Sequence, residues 1–277
     1  MALVAGYFAF HASPETNEGR RRLLRRLLYA SAMRIEANIG CALSQQNNHG
    51  ISEAAGLFTA GILLGEQKWT EKGASFLENQ MQTLVASDGS FSQHSANYHR
   101  VMLHACLWAV QLGRANGVEF SAAFIERIRK AGEWLTSLYD TSTGHMPNLG
   151  SNDGALILPY SVCDYLDYRP TIQATGAVVD NQRWLPPGEW DDMALWLVPD
   201  LDHDSEGNSI KGIQIIAPNH KEKCNTRTNL KVLEKGGYAV LSNNSSKLIF
   251  RCPKRFQFRP AQSIVLGVPG KPKRIFF

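Results

Sequence analysis

The sequence predicts a mainly α protein, a stack of antiparallel helical hairpins followed by the start of an antiparallel β-domain. Three observations lead there. Apolar residues recur at helical spacing through five long segments before residue 140, with short polar connections between them. After Asp140 the texture changes to Gly, Asn, Asp and Pro. Further on, Gly237–Leu241 and Lys247–Arg251 flank the polar turn Ser242–Ser246, which is a β-hairpin pattern.

Ser13, Pro14 and Glu15 supply a cap, a proline for the first helical position and an acid for the first turn. The helix they open is expected to run to about Ala42, burying Leu24, Leu27, Leu28, Met33, Ile35 and Ile39. Arg20, Arg21, Arg22, Arg25 and Arg26 interleave with its leucines and read as its solvated face. A second helix opens at Asn48-His49 and runs to about Leu64, with Ile51, Ala54, Ala55, Phe58, Ile62 and Leu63 on one face. Trp69, Gly73, Phe76, Leu77, Met81 and Leu84 mark a third, stopped by Asp88-Gly89. Tyr98, Val101, Met102, Ala105, Ala109 and Leu112 mark a fourth, ending near Asn116-Gly117. Ser121 caps a fifth, carrying Phe124, Ile128, Ala131, Trp134, Leu135 and Leu138. Thr171–Val179 forms one more short helix, and a Pro/Gly/Asp-rich connection with Trp184, Trp190 and Trp196 follows. Within it, Asp200, Asp202, Asp204 and Glu206 alternate as in a calcium loop. Ser205 stands where that loop needs glycine and Lys211 where it needs glutamate, so the stretch reads as a solvated acidic loop. The expected division is 1–180 helical, 181–231 connecting, and 232–277 the opening of the β-domain.

A chain of 277 residues, 44% hydrophobic, can bury a substantial core. The net charge of +4 is mild, and no basic run is interleaved with aromatics as nucleic-acid binding would need. Cys41, Cys106, Cys163, Cys224 and Cys252 are odd in number and widely spaced, so they read as buried free thiols. His94, His104, His145, His203 and His220 show no metal-ligand spacing; no metal or other cofactor is expected. No run is apolar and long enough to span a bilayer. Met1–His11 is apolar but lacks a basic flank and a small-residue cleavage site, so it is not read as a signal peptide.

Two stretches carry the chemistry. Gln46-Asn47-Asn48-His49-Gly50-Ile51-Ser52-Glu53-Ala54-Ala55-Gly56-Leu57 passes from polar residues into a helix, so Asn48 and His49 sit at a helix N-terminus, which suits a carboxylate. Read alone, Asn48 is more simply a helix cap. Asp88-Gly89-Ser90-Phe91-Ser92-Gln93-His94-Ser95-Ala96-Asn97-Tyr98-His99-Arg100 begins as a turn and opens another helix. Read alone, Tyr98 is more simply a core aromatic packed over Met102. A third piece, Asn148-Leu149-Gly150-Ser151-Asn152-Asp153-Gly154, precedes Asp167-Tyr168-Arg169-Pro170.

In order and spacing these pieces resemble the heparinase II/III-like, alginate-lyase-like family of polysaccharide lyases, well over residues 20–180 and more loosely over 232–262. The resemblance implies an α/α toroid, here incomplete, followed by a β-sandwich of which only the start is present. It implies an acidic, uronate-containing polysaccharide such as a glycosaminoglycan as substrate, a periplasmic or extracellular setting, and β-elimination. A base removes the C5 proton beside the carboxylate and the O4 glycosidic bond breaks, leaving an unsaturated uronate. Asn48 matches the residue that neutralises the carboxylate, His49 is its natural assistant, and Tyr98 matches the catalytic tyrosine. His99, Arg100, Glu53 and Asn152 are expected to bind substrate; Glu53, one turn after His49, is equally an orienter of that ring or an exposed helix acid. The family's β-domain histidine has no counterpart, since Gln262 stands about where it belongs and the likeness ends there, as if the sequence were truncated or changed frame. The alternative expectation is therefore a catalytically impaired carbohydrate-binding or scaffold protein. A glycoside hydrolase would need a carboxylate pair across the cleft, and none is convincing beside Asn48 and Tyr98.

Overall fold

The computed structural model describes residues 13–201, 229–243 and 246–251. Met1–His11, the acids Asp202–Glu206, Lys211, His203, His220, Cys224, Cys252, Gln262 and residues 264–277 lie outside them. The chain is mainly α. Five long helices come first: α1 (Glu18–Ser44), α2 (Asn48–Leu64), α3 (Gln67–Leu84), α4 (Ala96–Ala115) and α5 (Ala122–Leu138). Then come α6 (Arg169–Asp180), a 3₁₀ turn (Glu189–Asp191) and α7 (Asp192–Leu197). Strands β1 (Asn229–Leu233), β2 (Tyr238–Ser242) and β3 (Lys247–Arg251) form an antiparallel sheet in the order β1-β2-β3.

The first helix starts later than its proline suggests. Asn17 is the cap, accepting from Arg20 N at 3.1 Å, while Ser13–Thr16 closes a separate turn. Its buried face is also narrower than the leucine pattern implies. Only Ala32, Ile39 and Ala42 are buried, whereas Leu27 and Met33 are 44% and 52% exposed. Cys41 is exposed, Cys163 half-buried and Cys106 buried, so of these three thiols only Cys106 matches the expected burial.

Short connections force consecutive helices into antiparallel hairpins. Between α2 and α3, Gly65 adopts φ 72° at the helix end and the chain turns back within two residues. Those two helices approach until backbone touches backbone. A Cβ built on Gly73 would lie 2.5 Å from Phe58 N. α4 packs against α2, α5, α6 and α7, and it is buried nearly all round. Phe58, Leu77, Met81, Met102, Leu103, Phe124, Ile128, Trp134 and Ile172 belong to one continuous core around it.

Residues 181–201, expected to be irregular connection, instead contribute the 3₁₀ turn and α7 to that core. Trp184, Leu185, Met193 and Ala194 are all buried against it. Gln173 holds this segment in place, donating to Asp191 Oδ1 at 2.6 Å and accepting from Leu185 N at 2.8 Å.

The sheet sits on the helical layer. Asp88 Oδ2 accepts from Lys235 N and Gly236 N at 2.7 and 2.9 Å. Tyr238 of β2 is buried edge-on against Trp134 of α5, ring centroids 5.4 Å apart. Lys247 of β3 donates to the Tyr139 carbonyl at 2.6 Å. Burial there pushes its ammonium down to about 8.

Candidate active site

The N-termini of α2 and α4 are tied together. Gln93 Oε1, in the loop that leads into α4, accepts from Asn48 N at 3.2 Å, and Ser92 Oγ donates to the Gln46 carbonyl at 3.5 Å. In an up-and-down stack the second and fourth helices run the same way. These bonds fasten their starts into one rim, with both helix dipoles presenting their positive ends to it.

The cap of α2 is Asn47, whose Oδ1 accepts from His49 N at 2.9 Å. Asn48 is therefore the first helical residue, and its side chain has no capping bond to make. It is largely buried at the rim, 8% exposed. His49 is exposed, and its Nδ1 lies 2.7 Å from Gln45 Oε1, which also accepts from Asn47 Nδ2. An oxygen in that role requires the proton on Nδ1, which leaves the Nε2 lone pair free.

Glu53 does not orient that ring, because Gln45 does. The Glu53 Oε2 atom is buried and has no hydrogen-bond partner.

At α4, Ser95 accepts from Tyr98 N at 3.1 Å and donates to the Ser151 carbonyl at 2.6 Å. The loop around Ser151 is thereby fixed to the helix start. On that loop Asp153 accepts from the Tyr98 hydroxyl at 2.8 Å and from Asn97 Nδ2 at 3.2 Å. The carboxylate favours the neutral phenol, so the hydrogen bond to Asp153 and then desolvation raise the Tyr98 pKa. The same bond holds the Asp153 carboxyl below its usual range. Asn152, expected to bind substrate, is exposed beside it. Its Oδ1 accepts from Gly154 N at 3.0 Å and shares the Tyr165 hydroxyl, at 2.6 Å, with Asn97 Oδ1 at 2.8 Å.

His99 and Arg100, also expected at the substrate, point into the protein. His99 is 1% exposed, stacked on Trp134 at 4.4 Å, with Nε2 bonded to the Ala131 carbonyl at 3.0 Å. Burial drives its imidazole down to about 4. Arg100 is 2% exposed, its guanidinium 4.3 Å from both the Tyr165 and Tyr168 ring centres. It donates to the Tyr165 carbonyl at 2.6 Å and to Asn97 Oδ1 at 3.0 Å. Neither offers a sugar a surface. The reason is helical geometry: successive side chains turn by about 100°, so Tyr98 can face the rim only if its followers face the core.

Asp153, Asn97, Tyr165 and Gln93 are the site neighbours that sequence reasoning did not single out. Asp153 lies in the Asn148–Gly154 stretch, but a contact spanning fifty-five residues leaves no local signature. Among the described residues no group of three or more His, Cys, Asp or Glu side chains can hold a metal ion. No helix among them is long and apolar enough to cross a membrane.

Fold and rim together define a class: helical hairpins whose paired helix starts present a polar, amide- and phenol-lined edge, with a β-sheet docked alongside. Residues 8–158 match the family model described as Heparinase II/III N-terminus, and the chain belongs to that family. A heparin-sulfate lyase of Bacteroides thetaiotaomicron is 34% identical over 89 residues, spanning 30% of this chain and 13% of that protein. A solved structure titled "Crystal Structure of Heparinase III" superposes with a TM-score of 0.46 at 20% identity, covering 74% of this chain and 28% of its own. The chain thus spans less than a third of either relative's length.

Proposed function

We propose that this chain is the catalytic helical part of a lyase that cleaves a uronate-containing acidic glycan by β-elimination. The single observation that carries the reading is the Gln93–Asn48 bond, which fastens the α2 start carrying Asn48 and His49 to the loop that opens α4 and Tyr98. Family membership supports the reaction class.

In this reading Asn48 donates its side-chain N–H to the uronate carboxylate, where charge builds as the C5 proton leaves. His49 Nε2, freed by the Gln45 contact, takes that proton. The C5–H electron pair forms the C4–C5 double bond, the C4–O4 bond breaks, and the Tyr98 phenol turns from Asp153 to protonate the departing oxygen. Asn152 stays exposed on the loop beside Tyr98, within the substrate's path, while His99 and Arg100 position the helix from behind. Residues 1–180 are proposed as the catalytic unit, 181–231 as its connection, and 232–277 as the opening of a β-sandwich.

Asn48→Ala and Tyr98→Phe are each expected to lower formation of the unsaturated product by at least about 100-fold, followed by its ultraviolet absorbance. Unchanged rates in both would remove these residues from the mechanism. The second reading, a catalytically impaired glycan-binding protein, is favoured by the engagement of Tyr98 with Asp153. Saturable binding of an acidic glycan with no new unsaturated ends would select it.

A further inference from the structure

A concavity lies away from the rim. Near the start of α1, Arg22, Arg25 and Arg26 line a surface groove of ≈ 480 Å³ together with Tyr29, and Leu64 and Glu66 at the α2–α3 turn form its other wall. Residues 22, 25 and 26 stand at i, i+3 and i+4, so their side chains share one face of the helix. All three are exposed, and none has an ion-pair or hydrogen-bond partner among the described residues. Several arginines elsewhere are committed, Arg129 to Asp180, Arg169 to Asp167 and Arg183 to Asp191, and Arg34, which is also exposed, stands outside the groove. Three unpaired guanidinium groups within about one helical turn repel one another, and a bound anion relieves that repulsion.

The groove also has a fixed wall. The Tyr29 ring lies 5.1 Å from Trp69, and Trp69 Nε1 in turn donates to Glu36 at 2.7 Å. The groove is a separate place from the rim. It meets α2 at its last residue, Asn48 is the first of that helix's 17, and the axial distance is about 24 Å.

We propose that the Arg22–Arg25–Arg26–Tyr29 groove is a second glycan-binding site, taking a sulfated or carboxylated stretch of an acidic polysaccharide. Guanidinium forks match the planar faces of carboxylate and the oxygens of sulfate. Tyr29 offers an apolar ring face to a sugar and a hydroxyl at its tip. Glu66 can accept from sugar hydroxyls, which a glycan presents along its length and a DNA backbone lacks. A single aromatic gives successive bases no track to stack along. A second copy of this chain would set arginines against arginines across a two-fold contact. The choice of a glycan rests on the proposed function; the groove's preference for an anion does not.

The test uses the full chain carrying Tyr98→Phe, so that turnover does not consume the probe, and a size-defined heparin oligosaccharide long enough to reach beyond the rim. Arg22→Gln/Arg25→Gln/Arg26→Gln is expected to weaken binding about tenfold, as three exposed charge contacts would, and to flatten its salt dependence. Arg34→Gln, on the same helix but outside the groove, is expected to change affinity less than about twofold. With Tyr98 restored, turnover of a substrate too short to reach the groove should be unaffected by the triple change. Equal affinity of the triple variant and its parent would overturn the proposal. So would tighter binding of the parent to anionic vesicles or to a single-stranded oligonucleotide of equal charge, or loss of the exposed face to dimerisation in solution. If no glycan is cleaved but the triple variant still binds tenfold more weakly, the lyase reading fails and the groove stands.

Discussion

Asp153 decides what Tyr98 can do. A phenol donating to a carboxylate resists ionisation, so Tyr98 stays protonated to higher pH than an ordinary tyrosine and is suited to giving a proton rather than taking one. Asp153→Asn removes the charge and keeps the shape. The Tyr98 pKa should then fall back toward 10.0, and the alkaline limb of the pH–rate profile should move to lower pH with it. Ultraviolet titration of the phenol, comparing Asp153→Asn with Asp153→Asn/Tyr98→Phe, reads the same shift without any turnover. A phenol that titrates identically in the parent and Asp153→Asn chains would break the link. At this scale the sequence was legible in part. The polar run Gln46–His49 announced a helix start, but of its two adjacent asparagines the sequence reading favours Asn48, not Asn47, as the cap. The structure gives the cap to Asn47, because that residue has the extended backbone a cap needs, φ −139° and ψ −166°.

The stretch from Asp88 to Arg100 is a fastening as well as a piece of chemistry. Asp88 accepts two backbone N–H groups of the β1–β2 turn, Ser95 caps α4 and holds the Ser151 loop, and Arg100 anchors Tyr165 and Tyr168. His94 joins the helices to the sheet through Tyr238, its Nδ1 3.2 Å from the hydroxyl. The spacing of that motif is therefore set by packing on three sides, not by Tyr98 alone. Gly89 shows how little room there is. Its φ is 86°, and a Cβ there would meet the Lys130 carbonyl of α5 at 1.9 Å. Gly89→Ala should therefore destabilise the chain by about 2–3 kcal/mol, combining left-handed strain with an overpacked contact. The denaturant midpoint reports it, and a change below about 0.5 kcal/mol would mean that the turn can relax. Helical periodicity made five of these elements readable in advance. It failed for α7 and the 3₁₀ turn, whose few residues carry no period to read, and for the narrow buried face of α1, where leucines at helical spacing say nothing about what lies opposite them.

At the scale of the whole molecule, folding holds three histidines among the described residues in neutral form. Burial, then the nearby Arg251, lowers His94 to about 4, with Asp88 opposing; burial lowers His99 to about 4; burial, then Arg100, lowers His104 to about 3. Their ordinary value is 6.5, so between pH 6.5 and about 4 the unfolded chain holds protons that the folded one refuses. Stability should therefore be fully present above pH 6.5 and fall as the pH drops through this window. Near pH 5 each histidine contributes a slope of up to about 1.4 kcal/mol per pH unit. The carboxylates act in a lower range: Glu36, held to about 2 by Trp69 and two lysines, loses its contribution only as the pH falls from 4.5 toward 2. His94→Asn isolates one histidine. Asparagine tolerates the left-handed backbone at position 94, where φ is 51°, and can place an amide near Nδ1 to meet the Tyr238 hydroxyl. Unfolding free energies measured between pH 4.5 and 6.5 should show a shallower slope in this variant, by about one proton's worth, with little change above pH 7. An unchanged slope would mean that His94 takes up its proton in the folded chain, and that the contact between helices and sheet opens before the core does.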